Sequence, residues 1–424
     1  MKRIGVFCLL FALISPTVVK ADEVVLTLEE AVMIALRDNR DIRLKESDLE
    51  KAKLKITEAK APLFPSLTFT GVWKDTMDYY PEKHLGQTTT QTSVKQYLYQ
   101  GGKTVNTIAY YENRVAVTHA LLDNARLETI LKVQQTFYLL QLSSDFARLN
   151  KEILDNTLEH LAFIDARFKT GQASESQILA VRNSLKAVEE AYAASLNQAE
   201  AAQALLRNLL FLDDDIGILP QGDFVYEPRE IAFDEALLKA MQGRPEIRQY
   251  AAQEEADKKL VEVAKADKRP TIYFSWDYYS NSVTSATFSP TKGWNDWGVI
   301  GLTFSWPIFD GWETKAKVEQ ALVDLKATRL IRQKTEKDIV LEVRNAYLEM
   351  KDAIAKIKSS QAEVALYTDS LREVKEKTQS GIASSLDFHD AELKYNVALF
   401  NRKQAIYDYL IARISLDRAT GGGL

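Results

Sequence analysis

Two carboxylates near the end of the chain have a spacing that could support chemistry. Asp387 and Asp390 are three residues apart, so both point to one side of a helix that contains them. His389 is next to Asp390 and could take part in acid–base chemistry. However, no second histidine, nucleophile motif, phosphate-binding loop or metal-ligand spacing accompanies it in this part of the sequence. The pattern argues against an enzyme, and it predicts no catalytic residue, no cofactor and no metal site.

A simpler interpretation of Asp387 is structural. It follows Ser384 by three residues at the start of a predicted helix, where a carboxylate stabilises exposed N–H groups and the helix dipole. From the residues alone, capping is the preferred interpretation, and it is compatible with a second role. A similar capping pattern, Thr27 followed by Glu30, opens the first predicted helix.

The elements that position these residues are very long helices. The stretches from Lys103 to Thr170 and from Glu313 to Ser380 contain neither glycine nor proline, and they are 210 positions apart. Each predicts a helix about 100 Å long, which needs an elongated partner. Coiled-coil spacing recurs at Ile130, Val133, Phe137, Leu140 and at Val340, Val343, Tyr347, Met350. The closing helix carries a heptad of larger residues: Leu393, Val397, Phe400, Gln404, Tyr407, Ile411 and Ile414.

The chain is predicted to be an internal duplication. Matching residues flank both long helices: Gly101 and Gly311, Gly171 and Gly381, Ala173-Ser174 and Ala383-Ser384. Glycine ends a helix readily, and serine begins the next one. We therefore predict a first repeat over residues 22–210, a linker rich in Asp, Gly and Pro over 211–229, and a second repeat over 230–424.

A hairpin of alternating strands interrupts each repeat, at about residues 66–99 and 271–308. Leu67, Phe69, Gly71 and Trp73 alternate with polar residues in the first hairpin, and Ile300, Leu302, Phe304 and Trp306 alternate with small ones in the second. Strands of about ten residues suit a membrane barrel. Aromatic residues cluster around these strands, as at a lipid–water boundary; the predicted interface residues include Trp73, Trp276, Trp297 and Trp306.

The N-terminus reads as a secretory signal over residues 1–21, with Lys2 and Arg3 before an apolar core and a cleavage site ending at Ala21. The only cysteine, Cys8, lies in that core, so the exported chain would carry no disulfide or lipid anchor. Without residues 1–21 the net charge falls from −5 to about −8, because Lys2, Arg3 and Lys20 are removed, which argues against nucleic-acid binding. A membrane role would require strands closed into a barrel.

The order of these motifs resembles the TolC family of outer-membrane efflux proteins. The resemblance rests on Ala61-Pro62-Leu63-Phe64-Pro65-Ser66-Leu67, Gly101-Gly102, Arg167-Phe168-x-x-Gly171, Arg269-Pro270 and Phe309-Asp310-Gly311, in duplicated order over nearly all of the chain. It implies a mainly α fold with a membrane β-barrel part, in which three chains form a twelve-stranded barrel continued by an α-barrel of coiled-coil helices across the periplasm.

The resemblance also implies a function and partners. The family forms exit ducts for small molecules or proteins, joined by a periplasmic adaptor to an inner-membrane transporter of the RND, ABC or MFS type. Asp387 and Asp390 match the family's aspartates at the periplasmic aperture. Three copies would form two carboxylate rings that attract cations, with pKa values raised where like charges crowd. The turns around Gly171, Ala173, Ser174 and around Gly381, Ala383, Ser384 would be offered to the adaptor.

Some residues depart from the family pattern, and alternatives remain. Thr378 and Ala383 stand where the family's closed state uses a tyrosine and an arginine, and Gln177 replaces an acidic residue in the first repeat. Four strands per chain need an oligomer, since barrels use about eight or more strands, but this count also permits a dimer. A non-conducting exported coiled-coil scaffold of the cell envelope is the competing function, although it does not explain two aromatic hairpins.

Overall fold

The computed structural model describes residues 23–80, 83–222, 226–229, 231–284, 293–380 and 382–422. The predicted signal sequence and Gly381 lie outside these residues, and so does part of the predicted linker. The chain divides into two units, one drawn from positions up to 35 and 133–224, the other from positions 36–132 and 225–424.

The two long helices form as predicted. α3 spans Lys103–Lys169 and α7 spans Glu313–Gln379, 67 residues each and 210 positions apart. Return helices follow each of them, α4 at Glu175–Leu210 and α8 at Ser385–Ala419. None of the helices in the described residues has both the length and the hydrophobicity that a membrane-spanning helix needs.

Shorter helix pairs precede each sheet hairpin, and they repeat at an offset of 205 positions. α1 spans Leu28–Asp38 and α2 Arg40–Lys60 in the first repeat, whereas α5 spans Phe233–Gly243 and α6 Pro245–Ala266 in the second. Asn39 begins α2 by accepting hydrogen bonds on its side-chain oxygen from the backbone N–H groups of Asp41 and Ile42. Pro245 takes the first position of α6, where its missing N–H costs nothing.

The four strands of the second unit form one antiparallel sheet. They are β2 (Ser66–Tyr80), β3 (Lys83–Gln100), β5 (Thr271–Thr284) and β6 (Trp294–Ser305), in the order β2-β3-β5-β6. The pairing of β3 with β5 joins the hairpins of the two repeats. The strands have 12 to 18 residues, longer than the predicted ten. β3 begins at Lys83, in a threonine-rich segment with weak alternation.

The first unit contains a strand pair that the sequence did not predict. β1 (Glu23–Thr27) pairs in parallel with β4 (Gly217–Gln221). β4 lies inside the segment that we predicted to be a linker. Gly217 and Pro220 indicated a loop, but Pro220 is tolerated because a two-stranded ladder leaves the far side of each strand unpaired. The Gln141 side chain donates a hydrogen bond to the carbonyl of Gly222 just after this strand.

The packing of α7 against α8 corrects the predicted seam of the closing helix. The buried residues of α7 follow three-four spacing: Ile339, Val343, Ala346, Met350, Ala353, Ile357 and Ser360. On α8, alanines are buried at seven-residue intervals, at Ala391, Ala398, Ala405, Ala412 and Ala419, and larger apolar residues are buried near its end, at Tyr409, Leu410, Ile414 and Leu416. Of the predicted heptad, Leu393 and Val397 are 56% and 46% exposed, whereas Ile414 is buried. The predicted stripe is therefore exposed near the start of α8 and buried near its end.

Two buried arginines tie the helices of the second unit together at the start of α6. The Arg244 guanidinium donates to both Glu246 carboxylate oxygens, at 2.8 and 3.2 Å, and to Glu342 on α7 at 2.6 Å. Arg418 on α8 donates to Glu246 at 2.9 Å and lies 3.4 Å from Glu128 on α3. Burial would raise the pKa of Glu246, but the hydrogen bonds from Arg244 and the charges of both arginines lower it to about 2.

Candidate functional site

One face of the four-stranded sheet is apolar and exposed. Strand register places Leu67, Val94, Trp276 and Ile300 in one row across the sheet. The neighbouring rows add Phe69, Tyr278, Phe274, Leu302 and Phe304 to the same face, and the large residues among them are exposed in the single chain. An apolar face of this extent needs a lipid or protein environment. The alternation predicted from the sequence is confirmed by this register.

The opposite face of the sheet is polar and hydrogen-bonded across strands. Ser93 and Gln91 on β3 donate to the Asp277 carboxylate on β5, at 2.5 and 3.0 Å. The Gln91 amide also donates to the Tyr279 hydroxyl at 3.1 Å. The Lys95 ammonium lies 4.0 Å from the centre of the Tyr273 ring. This face therefore presents a cation, a carboxylate and several amide and hydroxyl groups, which is suited to contact with water and polar solutes.

The four predicted interface tryptophans do not share one face. Trp73 and Trp276 lie on the apolar face, and Trp306 follows two residues after Phe304 at its end. Trp297 pairs with Tyr279 in the register and stacks on its ring, with centroids 5.3 Å apart, on the polar face. It lies on this face because β6 carries aromatic residues at both parities. The interface role of the four tryptophans stays a prediction.

The sequence reasoning did not single out Lys95 and Asp277 as functional candidates. Both lie on the polar face, at neighbouring positions of the paired strands β3 and β5. The signal that could have found them is a charged residue at the polar parity of a predicted membrane strand.

The turn between α3 and α4 is closed by backbone and side-chain caps. Gly171 adopts a positive φ of 74°, and the N–H of Gln172 donates to the carbonyl of Arg167 at 2.8 Å. Ser174 and Gln177 then form a reciprocal capping box at the start of α4, in which the Ser174 N–H donates to the Gln177 side chain at 2.8 Å. Gly171 and Ser174 are exposed, while Ala173 is half-buried.

The second turn repeats this arrangement. The N–H groups of Ile382 and Ala383 both donate to the carbonyl of Lys377, at 2.8 and 3.1 Å, so the Ile382 bond matches that of Gln172. Ser384 and Asp387 form the capping box of α8. Ile382 and Ser384 are exposed. Both turns thus end one long helix, begin the next, and leave polar and apolar groups open to a partner.

Asp387 and Asp390 are both exposed on the first turns of α8. Asp387 accepts hydrogen bonds from the hydroxyl of Ser384 at 2.7 Å and from its N–H at 2.9 Å. These two hydrogen bonds lower the pKa of the Asp387 carboxyl below its ordinary value of 3.8. The capping role weighed in the sequence is therefore present in the chain. The predicted aperture role concerns an assembly of several chains, in which crowding would act on the pKa in the opposite direction.

Metal binding finds no site in the described residues, where no three His, Cys, Asp or Glu side chains are grouped to hold an ion. Asp387 and Asp390 remain a pair.

Comparison with known proteins shows the family to which this chain belongs. The outer membrane efflux protein family matches residues 32–210 and 236–422, ranges that lie within the two predicted repeats. The chain therefore belongs to this family, the TolC family, whose members are outer-membrane efflux channels rather than enzymes.

Individual relatives agree with this assignment. The chain is 25% identical over 418 residues to the probable outer membrane lipoprotein SilC of Salmonella typhimurium, covering 92% of this chain and 84% of SilC. The fold is similar to that of the CmeC outer membrane channel of Campylobacter jejuni, with a TM-score of 0.79, 20% identity, and coverage of 94% and 86% of the two chains. The open-state MtrE outer membrane channel of Neisseria gonorrhoeae gives a TM-score of 0.79, 18% identity, and coverage of 94% and 89%.

Proposed function

We propose that the protein is a passive exit duct in the outer membrane, which carries small molecules or proteins received from an inner-membrane transporter. The observation that carries this proposal is the sheet with one apolar and one polar face, held on a chain with two helices of 67 residues. The apolar face suits lipid, and the polar face suits a water-filled lumen. A coiled-coil scaffold would have no need of such a sheet.

Closure of the barrel requires further copies of the chain. Within the described residues, β2 and β6 each pair on one side only. Because the four strands alternate in direction, β6 of one copy can join β2 of the next in antiparallel fashion. Closure by repetition also removes both open edges. The family resemblance favours a homotrimer with twelve strands.

Exposed groups on the helices support contacts with other chains. Leu393 and Val397 on α8 form an apolar stripe outside the α7–α8 seam. In the proposed assembly this stripe would pack against a neighbouring copy. The turns around Gly171, Ala173, Ser174 and around Gly381, Ala383, Ser384 would contact a periplasmic adaptor, which joins the duct to a transporter of the RND, ABC or MFS type.

The aperture of the duct would lie at the second turn. Asp387 and Asp390 from each copy would form two carboxylate rings that favour cations over anions. Hydrogen bonding of Asp387 to Ser384 holds that carboxylate at a defined position and does not remove its charge. Residues 1–21 would direct export and be cleaved, so that the barrel lies in the outer membrane and the helices project into the periplasm.

Single-channel conductance in planar bilayers tests this proposal, and the chain itself supplies a way to separate charge from capping. Gln177 fills the capping position of the first repeat, so Asp387→Gln preserves the capping box and removes the charge. Combined with Asp390→Asn, it should enlarge conductance steps and abolish cation selectivity. Ser384→Ala removes the cap and keeps both charges, so selectivity should survive in this control.

Each result has a distinct meaning. Selectivity lost in the charge variant but kept in Ser384→Ala supports the acidic aperture. Equal conductance in all three proteins would retain the duct and limit Asp387 to capping. A protein that partitions into buffer and conducts no ions would refute the channel and favour the envelope scaffold.

A further inference from the structure

A basic cavity lies where the sheet meets the helices of the second repeat. Its volume is about 800 Å³, and it is bounded by the end of α6, the segment after β6 and the start of α7. Four of its lining side chains are cations, Lys265, Lys268, Arg269 and Lys315, and its apolar lining includes Trp306 and Ile308.

The charge of this cavity is only partly balanced by its neighbours. Lys265 and Arg269 share the carboxylate of Glu262, at 2.8 and 3.5 Å. Lys315 is 3.9 Å from Glu319, which also lines the cavity. Lys268 is exposed and makes no ion pair among the residues that the structure describes. Four cations against two carboxylates leave a net positive charge, which favours an anionic ligand.

The apolar wall is continuous with the apolar face of the sheet. Phe304, Trp306 and Ile308 are all exposed and follow one another at every second residue. Trp306 and Ile308 belong to the cavity, while Phe304 lies on the face that the proposed function assigns to lipid. A ligand that is anionic at one end and apolar at the other would therefore satisfy both parts of the site.

The corresponding place in the first repeat has different chemistry. Lys268 and Arg269 correspond to Leu63 and Phe64 at the offset of 205, and Lys315 corresponds to Val105 at the offset of 210. Leu63, Phe64 and Val105 are exposed apolar residues. Lys265 alone has a cationic counterpart, Lys60. The full cluster is therefore present only in the second repeat, so it does not follow from the fold alone.

We propose that this cavity binds an anionic glycerophospholipid of the membrane leaflet that faces the periplasm. Lys268 and Lys315 contact the headgroup phosphate, Lys265 and Arg269 supply further positive charge, and Trp306 and Ile308 contact the first part of the acyl chains. This inference rests on the proposed function, because that function places the apolar sheet face in lipid. The bound lipid would fix the height of the barrel relative to the membrane surface.

Native mass spectrometry of the detergent-purified full chain tests the site, with phosphatidylglycerol and phosphatidylcholine as probes. Wild type should retain about one phosphatidylglycerol per chain in preference to phosphatidylcholine. Lys268→Gln with Lys315→Gln should weaken phosphatidylglycerol binding about 30-fold, the effect of two lysines at a membrane surface. Lys334→Gln with Lys337→Gln removes the same charge from exposed positions further along α7 and should leave binding unchanged.

A competition assay and a conductance measurement distinguish the proposed lipid site from a simple phosphate site and from a general charge effect. Glycerol 3-phosphate in excess should displace little phosphatidylglycerol, since it lacks acyl chains; full displacement would show a simple phosphate site and overturn the proposal. Equal loss of lipid in both lysine variants would overturn it as well, because it would indicate a general charge effect. If a variant that binds no lipid conducts ions as well as the wild type does, the duct does not depend on the lipid. If the wild type itself conducts no ions, the proposed function is rejected.

Discussion

Replacement of Glu246 by glutamine tests the ion-pair cluster that joins α3, α6, α7 and α8. Glu246 is 17% exposed and Arg244 only 3%, so their interaction is weakly screened by solvent. In the folded chain the pKa of Glu246 is about 2, against an ordinary value of 4.5. That difference corresponds to roughly 3 kcal/mol of stability at neutral pH. We therefore expect Glu246→Gln to lower the free energy of unfolding by about this amount.

The pH dependence gives the sharper test. The folded pKa of Glu246 is below the unfolded one, so its contribution is fully present above about pH 4.5 and is lost as the pH falls towards 2. The stability gap between wild type and Glu246→Gln should therefore shrink from about 3 kcal/mol at neutral pH to about 1 kcal/mol near pH 3. Guanidinium unfolding in detergent, followed by far-ultraviolet circular dichroism, measures this gap.

A matched control excludes a general effect of losing a carboxylate. Glu235 on α5 is 55% exposed, and among the described residues its ion pair is with Lys239 in the next turn. Glu235→Gln should change the free energy of unfolding by less than about 0.5 kcal/mol at either pH. A Glu246→Gln gap that stays constant from neutral to acid pH would refute the reasoning, because the loss would then come from shape and packing rather than ionisation.

The remaining predictions concern caps, glycines and the aperture. Asn39→Ala should destabilise the second unit by about 1 kcal/mol in the same unfolding assay, since α2 loses its N-cap, and Asn39→Asp should not. Gly101→Ala should cost more than the 1 kcal/mol or so expected for left-handed strain, because a Cβ there would lie 2.6 Å from the Cβ of Arg269. Gly311→Ala has the same φ of 62° with no described atom within 4 Å, so its detergent-solubilised chain should lose less stability. Cation selectivity of the wild-type channel should be unchanged between about pH 7 and pH 5, because the Ser384 hydrogen bonds lower the pKa of Asp387; selectivity lost over this range would show that crowding of like charges dominates.

Local rules predicted most of the elements. The absence of glycine and proline over 68 residues was enough to identify α3 and α7, because few other residues end a helix. The capping boxes at Thr27 and Ser384 were also predictable, since they depend on residues three positions apart. Strict alternation predicted the faces of β2, β5 and β6.

Features that depend on distant partners were not predictable in the same way. The pairing of β1 with β4 joins segments almost 200 residues apart, and neither segment alternates strongly. On α8, hydrophobicity favoured the stripe from Leu393 to Ile414, but Leu393 and Val397 are exposed, while alanines seven residues apart are buried along the helix. Both stripes have heptad spacing, so periodicity alone could not say which one is buried within the chain.

The two repeats show how the duplication separates scaffold from function. Backbone features recur in both, including the long helices and the turn bonds of Gln172 and Ile382. Charge does not recur, because Gln177 corresponds to Asp387. A capping box accepts either side chain, so the helix end tolerated this divergence without loss of its cap.

The same argument applies at the sheet, where Leu63 corresponds to Lys268. Both positions are exposed, so packing within the chain does not select the residue type. Selection can therefore act on contacts outside the chain. If the proposed aperture and lipid site exist, the second repeat supplies their charged residues, whereas the first repeat has neutral or apolar residues, Gln177 and Leu63, at the equivalent places.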